Sequence, residues 1–151
     1  MVNQLQFTTH SPAQTKAVAR VLAREILKTK AQKALVLALK GNLGAGKTTF
    51  LQTLAKSLGV KDQILSPTFV ILKKFEIENP KTQFLHFYHI DCYRLEESKE
   101  IFTLGFKEII KNPNNIVAIE WAENIKGALP RERITLEFKH LGKNQREVII
   151  K

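Results

Sequence analysis

The first thirty residues carry a strand pattern followed by a helix pattern. Leu5 and Phe7 alternate with polar neighbours, which predicts a short strand. Ser11-Pro12 then offers an N-cap and a first-turn proline, so a helix is expected to begin there and to end before Lys33. Apolar residues that recur every three to four positions predict its buried face: Ala17, Val18, Val21, Leu22 and Ile26.

The next segment predicts a buried strand, a glycine loop and a second helix, in that order. Residues 34–39 are all apolar, as is typical of a parallel strand that is covered on both faces, and Gly41 ends this strand. Residues 48–58 predict a helix that Gly59 closes in the C-terminal capping position. The inward side chains of this helix are expected to be Phe50, Leu51, Leu54, Ala55 and Leu58.

The second half of the chain predicts shorter elements. We expect strands over residues 69–77 and 84–90, joined as a hairpin at Asn79-Pro80, and one or two short helices over residues 96–111. A further apolar strand is expected over residues 116–120, and a terminal hairpin pairs residues 134–138 with 148–150 around Gly142. Together these elements predict an α/β protein with a mainly parallel central sheet and additional antiparallel hairpin strands.

Composition adds limits to this picture. The 151 residues, 44% of them hydrophobic, are typical of one globular domain. The single cysteine, Cys92, excludes an intramolecular disulfide and fits a reducing compartment. No apolar run approaches the roughly 18 residues that span a bilayer, and the N-terminus lacks the pattern of a secretory signal. We therefore expect a soluble cytoplasmic protein.

Charge is distributed unevenly. The net charge of +10 lies entirely in residues 1–75, where 12 Lys and Arg face only two acids, Glu25 and Asp62. Such a basic surface attracts polyanions, whether nucleotide, nucleic acid or an acidic protein face. It is equally compatible with a solvated surface that keeps the protein soluble, because no nucleic-acid-binding signature accompanies it.

The strongest chemical signal is a phosphate-binding loop. Residues 41–48, G-N-L-G-A-G-K-T, fit the pattern G-x-x-x-x-G-K-[ST] and stand between the predicted buried strand and helix. In such a loop successive backbone N–H groups and the helix N-terminus face phosphate oxygens. Lys47 is expected to reach the β- and γ-phosphates, and the Thr48 hydroxyl to bind Mg²⁺. This motif predicts that the single domain over residues 1–151 binds the phosphates of a nucleotide.

Two strand-end acids are candidates to complete the site. Glu120 follows four apolar residues, and Asp91 closes the strand before it, so both are expected at the carboxyl edge of the sheet. There a carboxylate helps hold Mg²⁺ or orients the attacking water. The alternative for each is an ordinary surface acid at a strand end.

Other candidate positions carry weaker signals. Thr68, in the loop S-P-T-F, lies where switch loops place a hydroxyl that senses the γ-phosphate, although a proline turn into a strand explains the same residues. His86 and His89 are interpreted as ordinary strand residues rather than metal ligands, because no Cys or third His lies near them. Cys92 is interpreted as a packed side chain.

Four segments in register resemble one known family. They are G-N-L-G-A-G-K-T-T-F at residues 41–50, S-P-T-F at 66–69, H-I-D-C-Y-R-L at 89–95 and I-E-W at 119–121. In order, spacing and total length they look like the bacterial tRNA threonylcarbamoyladenosine biosynthesis ATPases of the TsaE family, also called YjeE. Two positions depart from the family pattern, which often has a larger apolar residue in place of Cys92 and proline in place of Ala122.

The resemblance implies a three-layer P-loop NTPase-like fold, with residues 1–151 forming a single ATPase domain. This domain would use ATP and Mg²⁺ in support of a TsaB–TsaD heterodimer. In that family TsaC makes threonylcarbamoyl-adenylate, and TsaD transfers the threonylcarbamoyl group to N6 of adenosine at position 37 of tRNAs that read codons beginning with A. Contact with tRNA is then expected indirectly or through the complex, and contact with a membrane is not expected. The sequence also lacks the Asn-Lys-x-Asp motif with which GTPases read guanine.

The resemblance also implies roles for individual residues. The nucleotide would be held by Leu43, Gly44, Ala45, Gly46, Lys47, Thr48 and Thr49, and the metal by Thr48 and Glu120. Lys47, Asp91, Glu120 and Thr68 would act in catalysis, with Thr68 at the switch position and Asp91 beside the metal or the water. Tyr93 and Arg94 would support the Asp91 loop, Trp121 would lie beside the nucleotide or a partner, and residues 11–15 and 142–147 would close over the adenine.

Two alternatives from other functional classes remain open. A small-molecule kinase would use the same loop, with Arg131 and Arg133 as lid residues, but the chain between the loop and Glu120 is short for an acceptor-binding insertion. A nucleotide-gated module would instead dock its basic half onto tRNA or an acidic protein, and its affinity for tRNA would fall steeply with salt.

Overall fold

A seven-stranded mixed sheet with helices on both faces forms the protein. The computed structural model describes residues 4–41, 44, 46–65 and 71–151. The strands are β1 Leu5–Thr9, β2 Leu35–Gly41, β3 Leu72–Glu76, β4 His86–Asp91, β5 Asn115–Glu120, β6 Ile134–Gly142 and β7 Gln145–Ile150. The helices are α1 Pro12–Lys28, α2 Lys47–Leu58 and α3 Phe106–Lys111, with 3-10 helices at Ser98–Leu104 and Ala122–Ala128.

The strand order is β1-β7-β6-β2-β5-β4-β3. The four central strands β6, β2, β5 and β4 are parallel, whereas β7 runs antiparallel to β6 and β1, and β3 runs antiparallel to β4. The prediction of a parallel centre with antiparallel hairpin strands is therefore confirmed. Because β2, β5 and β4 are parallel, their carboxyl ends meet at one edge of the sheet.

Hydrophobic cores lie on both faces of the sheet. Leu37 and Leu39 of β2 point into a core with α1 and α2, whereas Val36 and Ala38 point into a core with α3 and the 3-10 helices. This explains why residues 34–39 are apolar at every position. The resulting arrangement has three layers, as the sequence predicts.

Helix α1 begins as its sequence indicates but buries a different arc. The Ser11 hydroxyl accepts a hydrogen bond from the Gln14 N–H at 3.2 Å, and Pro12 is the first helical residue. The expectation that Ala17 and Val21 are buried is wrong, since both are exposed. The buried residues are Thr15, Val18, Ala19, Leu22, Ala23 and Ile26. The two alanines Ala19 and Ala23 share an arc with Val18 and Leu22, so the core-facing stripe turns away from the Ala17 side.

The hairpins differ from their predicted bounds. Strand β3 begins at Leu72, and the first two residues of the expected strand, 69 and 70, lie outside the described part of the chain. Strand β4 extends one residue further than expected and includes Asp91. The terminal hairpin forms at Gly142 as expected: Gly142 pairs with Gln145, and the chain turns at Lys143-Asn144 between them. Asn144 has a φ of 66°, and asparagine tolerates this left-handed conformation better than most residues.

The segment after β4 forms helices of two kinds. Residues 96–111, for which one or two short helices are predicted, contain a 3-10 helix and α3, separated at Gly105. The 3-10 helix Ala122–Ala128 directly follows β5 and is not predicted from the sequence. Among the residues that the structure describes, no helix has the length and apolar character to cross a membrane.

Candidate functional site

A cavity of about 510 Å³ opens at the carboxyl edge of the parallel strands. Its lining includes seven of the residues singled out from the sequence: Gly44, Gly46, Lys47, Thr48, Thr49, Asp91 and Glu120. Leu43, Ala45 and Thr68, which were also expected at the site, lie outside the described residues. The fold thus brings the described phosphate-loop residues from Gly44 to Thr48 and both strand-end acids to one place.

The backbone explains how the loop and helix reach this cavity. Gly44 and Gly46 have φ values of 78° and 93°, and a Cβ at either position would meet no atom within 4 Å. Backbone conformation, rather than lack of space, is therefore what favours glycine here. Helix α2 begins immediately afterwards, so its first-turn N–H groups and the positive end of its dipole lie at the cavity wall.

Lys47 lies in the floor of the cavity and is only 5% exposed. Its ammonium donates a hydrogen bond to the Gly41 carbonyl and lies 4.0 Å from the ring centroid of Trp121. Burial lowers the pKa of Lys47 from its usual value, while the nearby Glu120, Glu123 and Asp91 carboxylates partly oppose that shift. An ammonium has three donors, so this bond leaves N–H groups available to an anionic ligand.

Glu120 connects the sheet to the phosphate loop. This carboxylate is 4% exposed, and its Oε1 accepts a hydrogen bond from the Thr48 hydroxyl at 3.3 Å. Its Oε2 lies 2.6 Å from Nε2 of His89. A hydroxyl and a carboxylate side by side form the hard-oxygen donor set that Mg²⁺ prefers in proteins, so the residues present fit this ion.

Asp91 lies beside Glu120, because the parallel register of β4 and β5 pairs the two residues. Its Oδ1 accepts a hydrogen bond from the Tyr93 N–H at 3.0 Å, which fixes the turn after β4. The side chain is partly exposed and lines the cavity. Of the two residues expected to support this loop, Tyr93 lines the cavity, whereas Arg94 is exposed and does not.

Comparison with known proteins identifies the family. The family model described as "Threonylcarbamoyl adenosine biosynthesis protein TsaE" matches residues 9–148. The chain belongs to the TsaE family. A tRNA threonylcarbamoyladenosine biosynthesis protein TsaE of Bacillus subtilis is 37% identical over 147 residues, which cover 97% of this chain and 85% of that protein. The protein of the same name from Treponema pallidum is 34% identical over 115 residues, covering 76% and 80% of the two chains.

A solved structure confirms the fold of this TsaE-family chain. The crystal structure of Bacillus subtilis YdiB superposes with a TM-score of 0.73 at 35% identity, covering 99% of this chain and 86% of that one. The predicted P-loop NTPase-like α/β fold is therefore confirmed, as is the resemblance of the four sequence segments to the TsaE family.

Trp121 has an unusual backbone conformation for a residue of its size. Its φ and ψ of 56° and 42° are left-handed, which costs a bulky L-residue roughly 1–2 kcal/mol. The turn directs its ring over Lys47 and to 5.2 Å from the ring of Tyr93, between centroids. The two aromatic rings form one wall of the cavity, and the position of Trp121 beside a nucleotide or a partner stays a prediction.

Another wall of the cavity is formed by the start of α1, near the N-terminus, and by the β6–β7 hairpin, near the C-terminus. Ser11, Pro12 and Thr15 line it from α1, and Asn144 and Arg146 line it from the turn. These positions fall within residues 11–15 and 142–147, which the family resemblance places over the adenine. The structure brings both segments to the phosphate-loop cavity, and their contact with adenine stays a prediction.

His89 is the site residue whose role sequence reasoning missed. Its imidazole is fully buried and bonded to Glu120, so its interpretation as an ordinary strand residue is incomplete. The available signal was its position two residues before Asp91, which places both side chains on one face of β4. His86 lies beside its cross-strand partner Glu76, as expected of a strand residue. Cys92 is packed in the core, also as expected.

Proposed function

We propose that this chain is a Mg²⁺-dependent ATPase that supports a TsaB–TsaD complex in forming N6-threonylcarbamoyladenosine at position 37 of tRNAs reading codons that begin with A. The observation that carries the catalytic part is the meeting of Lys47, Thr48 and Glu120 in one cavity at the start of α2. Membership of the TsaE family supports the role in tRNA modification.

Lys47 and the first turn of α2 would bind the triphosphate. The Lys47 ammonium is already desolvated, so its attraction to a phosphate is weakened less by water than that of a surface lysine. Binding would exchange part of its contact with Gly41 and Trp121 for phosphate oxygens. The adjacent N–H groups of α2 add donors that need no reorganisation.

Thr48 and Glu120 would hold Mg²⁺, which neutralises charge on the β- and γ-phosphates when bound. Their oxygens are 3.3 Å apart, so both can face one ion. Asp91, next to Glu120 in the register, would orient the attacking water or contact the metal shell. In this proposal the chain contributes positioning and charge rather than a covalent intermediate.

The experiment that tests the proposal is phosphate release from Mg-ATP by the purified chain, alone and with a TsaB–TsaD heterodimer. Lys47→Ala should abolish the release that the partner stimulates. Lys56→Ala is the matched control, because Lys56 lies on the same helix but is exposed near its far end. Its activity should equal that of the wild type.

The outcomes separate this proposal from a binding module. Hydrolysis that depends on Lys47 and rises with the heterodimer supports the partner-activated ATPase. ATP binding without hydrolysis in either condition contradicts it and indicates a nucleotide-gated module instead.

The structure does not favour the small-molecule kinase. Arg133 lies just before β6, at the amino end of the parallel strands, and donates to the Pro130 carbonyl at 2.8 Å. Neither Arg131 nor Arg133 is among the described residues that line the phosphate-loop cavity. The lid role considered for them would require both to reach the opposite edge of the sheet.

A further inference from the structure

A fully buried histidine holds the carboxylate at the end of β5. His89 has no solvent exposure, and its Nε2 lies 2.6 Å from Oε2 of Glu120. In the parallel register His89 is opposite Ala118, so its side chain reaches along the sheet toward Glu120, two residues further on. The contact therefore spans two central strands directly below the cavity.

The hydrogen bond gives the two Glu120 oxygens different surroundings. An ionised carboxylate only accepts hydrogen bonds, so Nε2 of His89 is the donor to Oε2. Oε1 is left facing the Thr48 hydroxyl at 3.3 Å. The terminal torsion of a glutamate is otherwise broad and nearly two-fold, and a bond to one oxygen removes that freedom.

We propose that His89 is a positioning residue for the metal site, fixing the Glu120 carboxylate so that Oε1 faces the Mg²⁺ position beside Thr48. The inference rests on the proposed function, because it assigns Glu120 to Mg²⁺. Groups that orient a metal ligand without touching the metal typically change metal affinity or activity by 10–100-fold when removed. His89 acts through Glu120 and does not itself contact the nucleotide.

Two substitutions separate positioning from simple filling of the core. His89→Gln keeps a donor nitrogen four bonds from Cα, as in the imidazole, and can restore the bond to Oε2. His89→Leu is of similar size but has no donor, and it leaves Oε2 buried without its partner. A role in packing alone predicts similar behaviour for both variants, whereas positioning predicts that glutamine rescues and leucine does not.

The measurement is the affinity for ATP, once with Mg²⁺ and once with EDTA. The fluorescence of Trp121 reports binding, because it is the single tryptophan and lines the cavity. In EDTA both variants should bind ATP as the wild type does. With Mg²⁺ titrated in, His89→Leu should need about 10–100 times more metal for the same gain in affinity. His89→Gln should stay within a few-fold of the wild type.

A double-mutant cycle completes the test. In a Glu120→Gln background, His89→Leu should cause no further loss of Mg²⁺ dependence, because the group it positions is already changed. The inference is overturned if His89→Leu leaves the Mg²⁺ titration unchanged, if His89→Gln fails as badly as His89→Leu, or if the two effects add. Should His89→Leu fail to fold, His89→Asn replaces it, since its amide is one bond too short to reach Oε2.

Failure of the proposed function would look different. A wild-type chain whose ATP affinity does not respond to Mg²⁺ overturns the metal assignment and the role of His89 together. A wild-type response that survives in every His89 variant overturns only the role of His89.

Discussion

At the scale of single residues, the buried charge of Lys47 is suited to binding an anion but is unfavourable for the stability of the folded chain. Lys47 is buried, and desolvation lowers its pKa, so its charged form is less favourable in the folded chain than in the unfolded one. Such groups are common at functional sites, where they are kept for binding rather than stability. Lys47 is therefore a position at which activity and stability should separate.

We predict that Lys47→Met lowers ATP affinity by at least about 10-fold, because it removes a charge-assisted hydrogen bond. The methionine keeps much of the apolar stem, so the free energy of unfolding should be equal to that of the wild type or higher. Calorimetric titration with ATP and urea denaturation at pH 7.5 measure the two quantities. A loss of stability above about 1 kcal/mol would show that the contacts with Gly41 and Trp121 outweigh desolvation.

The lowered pKa also fixes the sign of a pH dependence. Between the folded pKa of Lys47 and its usual value of 10.5, the unfolded chain binds more protons than the folded one at this residue. The Lys47 contribution to stability therefore rises with pH across that window. Any stability advantage of Lys47→Met should shrink as the pH is raised toward 10.5, which denaturation at a series of alkaline pH values can follow.

Cys92 gives a second prediction at this scale. Burial, with smaller contributions from Asp91 and Glu123, raises the pKa of the Cys92 thiol to about 12. At pH 8 the thiolate fraction is then on the order of 10⁻⁴, whereas an ordinary cysteine is about one-quarter ionised. We expect iodoacetamide to label Cys92 only as fast as the chain unfolds. Rapid labelling of the native protein, with full labelling in urea as the control, would contradict this.

At the scale of elements, the periodicity of apolar residues and the helix-capping residues predict most of the secondary structure. The Ser11 cap, the apolar β2 and the Gly59 end of α2 all appear where local chemistry places them. Ala17 and Val21 were misplaced because helical periodicity defines a stripe only to within one position, and packing then selects the arc. The Trp121 turn and the 3-10 helix after it have no local signal, since that backbone is left-handed at a bulky residue.

Helix α1 also carries like charges at four-residue spacing. Lys16, Arg20, Arg24 and Lys28 follow one another along its outer side, and Arg20, Arg24 and Lys28 are exposed. Such pairs repel by about 0.2–0.5 kcal/mol each. Glu25 contacts Lys28 at 3.7 Å and relieves part of this repulsion.

We predict that Arg24→Glu stabilises the fold by about 0.8–2 kcal/mol at low salt, because it replaces two repulsions by two attractions of similar size. Arg24→Gln, which only removes the repulsions, should give about half the gain. Urea denaturation at low and high ionic strength measures both, and the gain should shrink with salt. Destabilisation by Arg24→Glu at low salt would show that Arg24 has a favourable role that its neighbours do not reveal.

At the scale of the whole molecule, the sequence predicted the members of the site better than their contacts. The phosphate-loop motif and the apolar strands that end in Asp91 and Glu120 located the cavity, because parallel strands bring their carboxyl ends together. The bond between His89 and Glu120 depends on the register of two strands that are distant in sequence. Neither motif spacing nor periodicity contains that register, so the bond required the three-dimensional structure.

The basic half of the chain gives the last prediction. The net charge of +10 comes from residues 1–75, and no residue pattern for reading bases accompanies it. If the isolated chain contacts tRNA directly, as the binding-module alternative requires, it should do so through phosphates alone, with the same affinity for modified, unmodified and unrelated tRNAs. The logarithm of the binding constant should fall linearly with the logarithm of salt concentration.

The exposed arginines of α1 make this expectation specific. Combining Arg20→Gln with Arg24→Gln should reduce the magnitude of the salt slope by up to about 2, if each arginine contacts one phosphate. Combining Lys111→Gln with Lys126→Gln removes the same charge from the balanced half and should leave the slope nearly unchanged. Equal losses from both pairs would mean that net charge acts without a preferred face. Absent or salt-independent binding would assign the basic half to an acidic protein surface or to solubility, because phosphate contacts cannot form without releasing counterions.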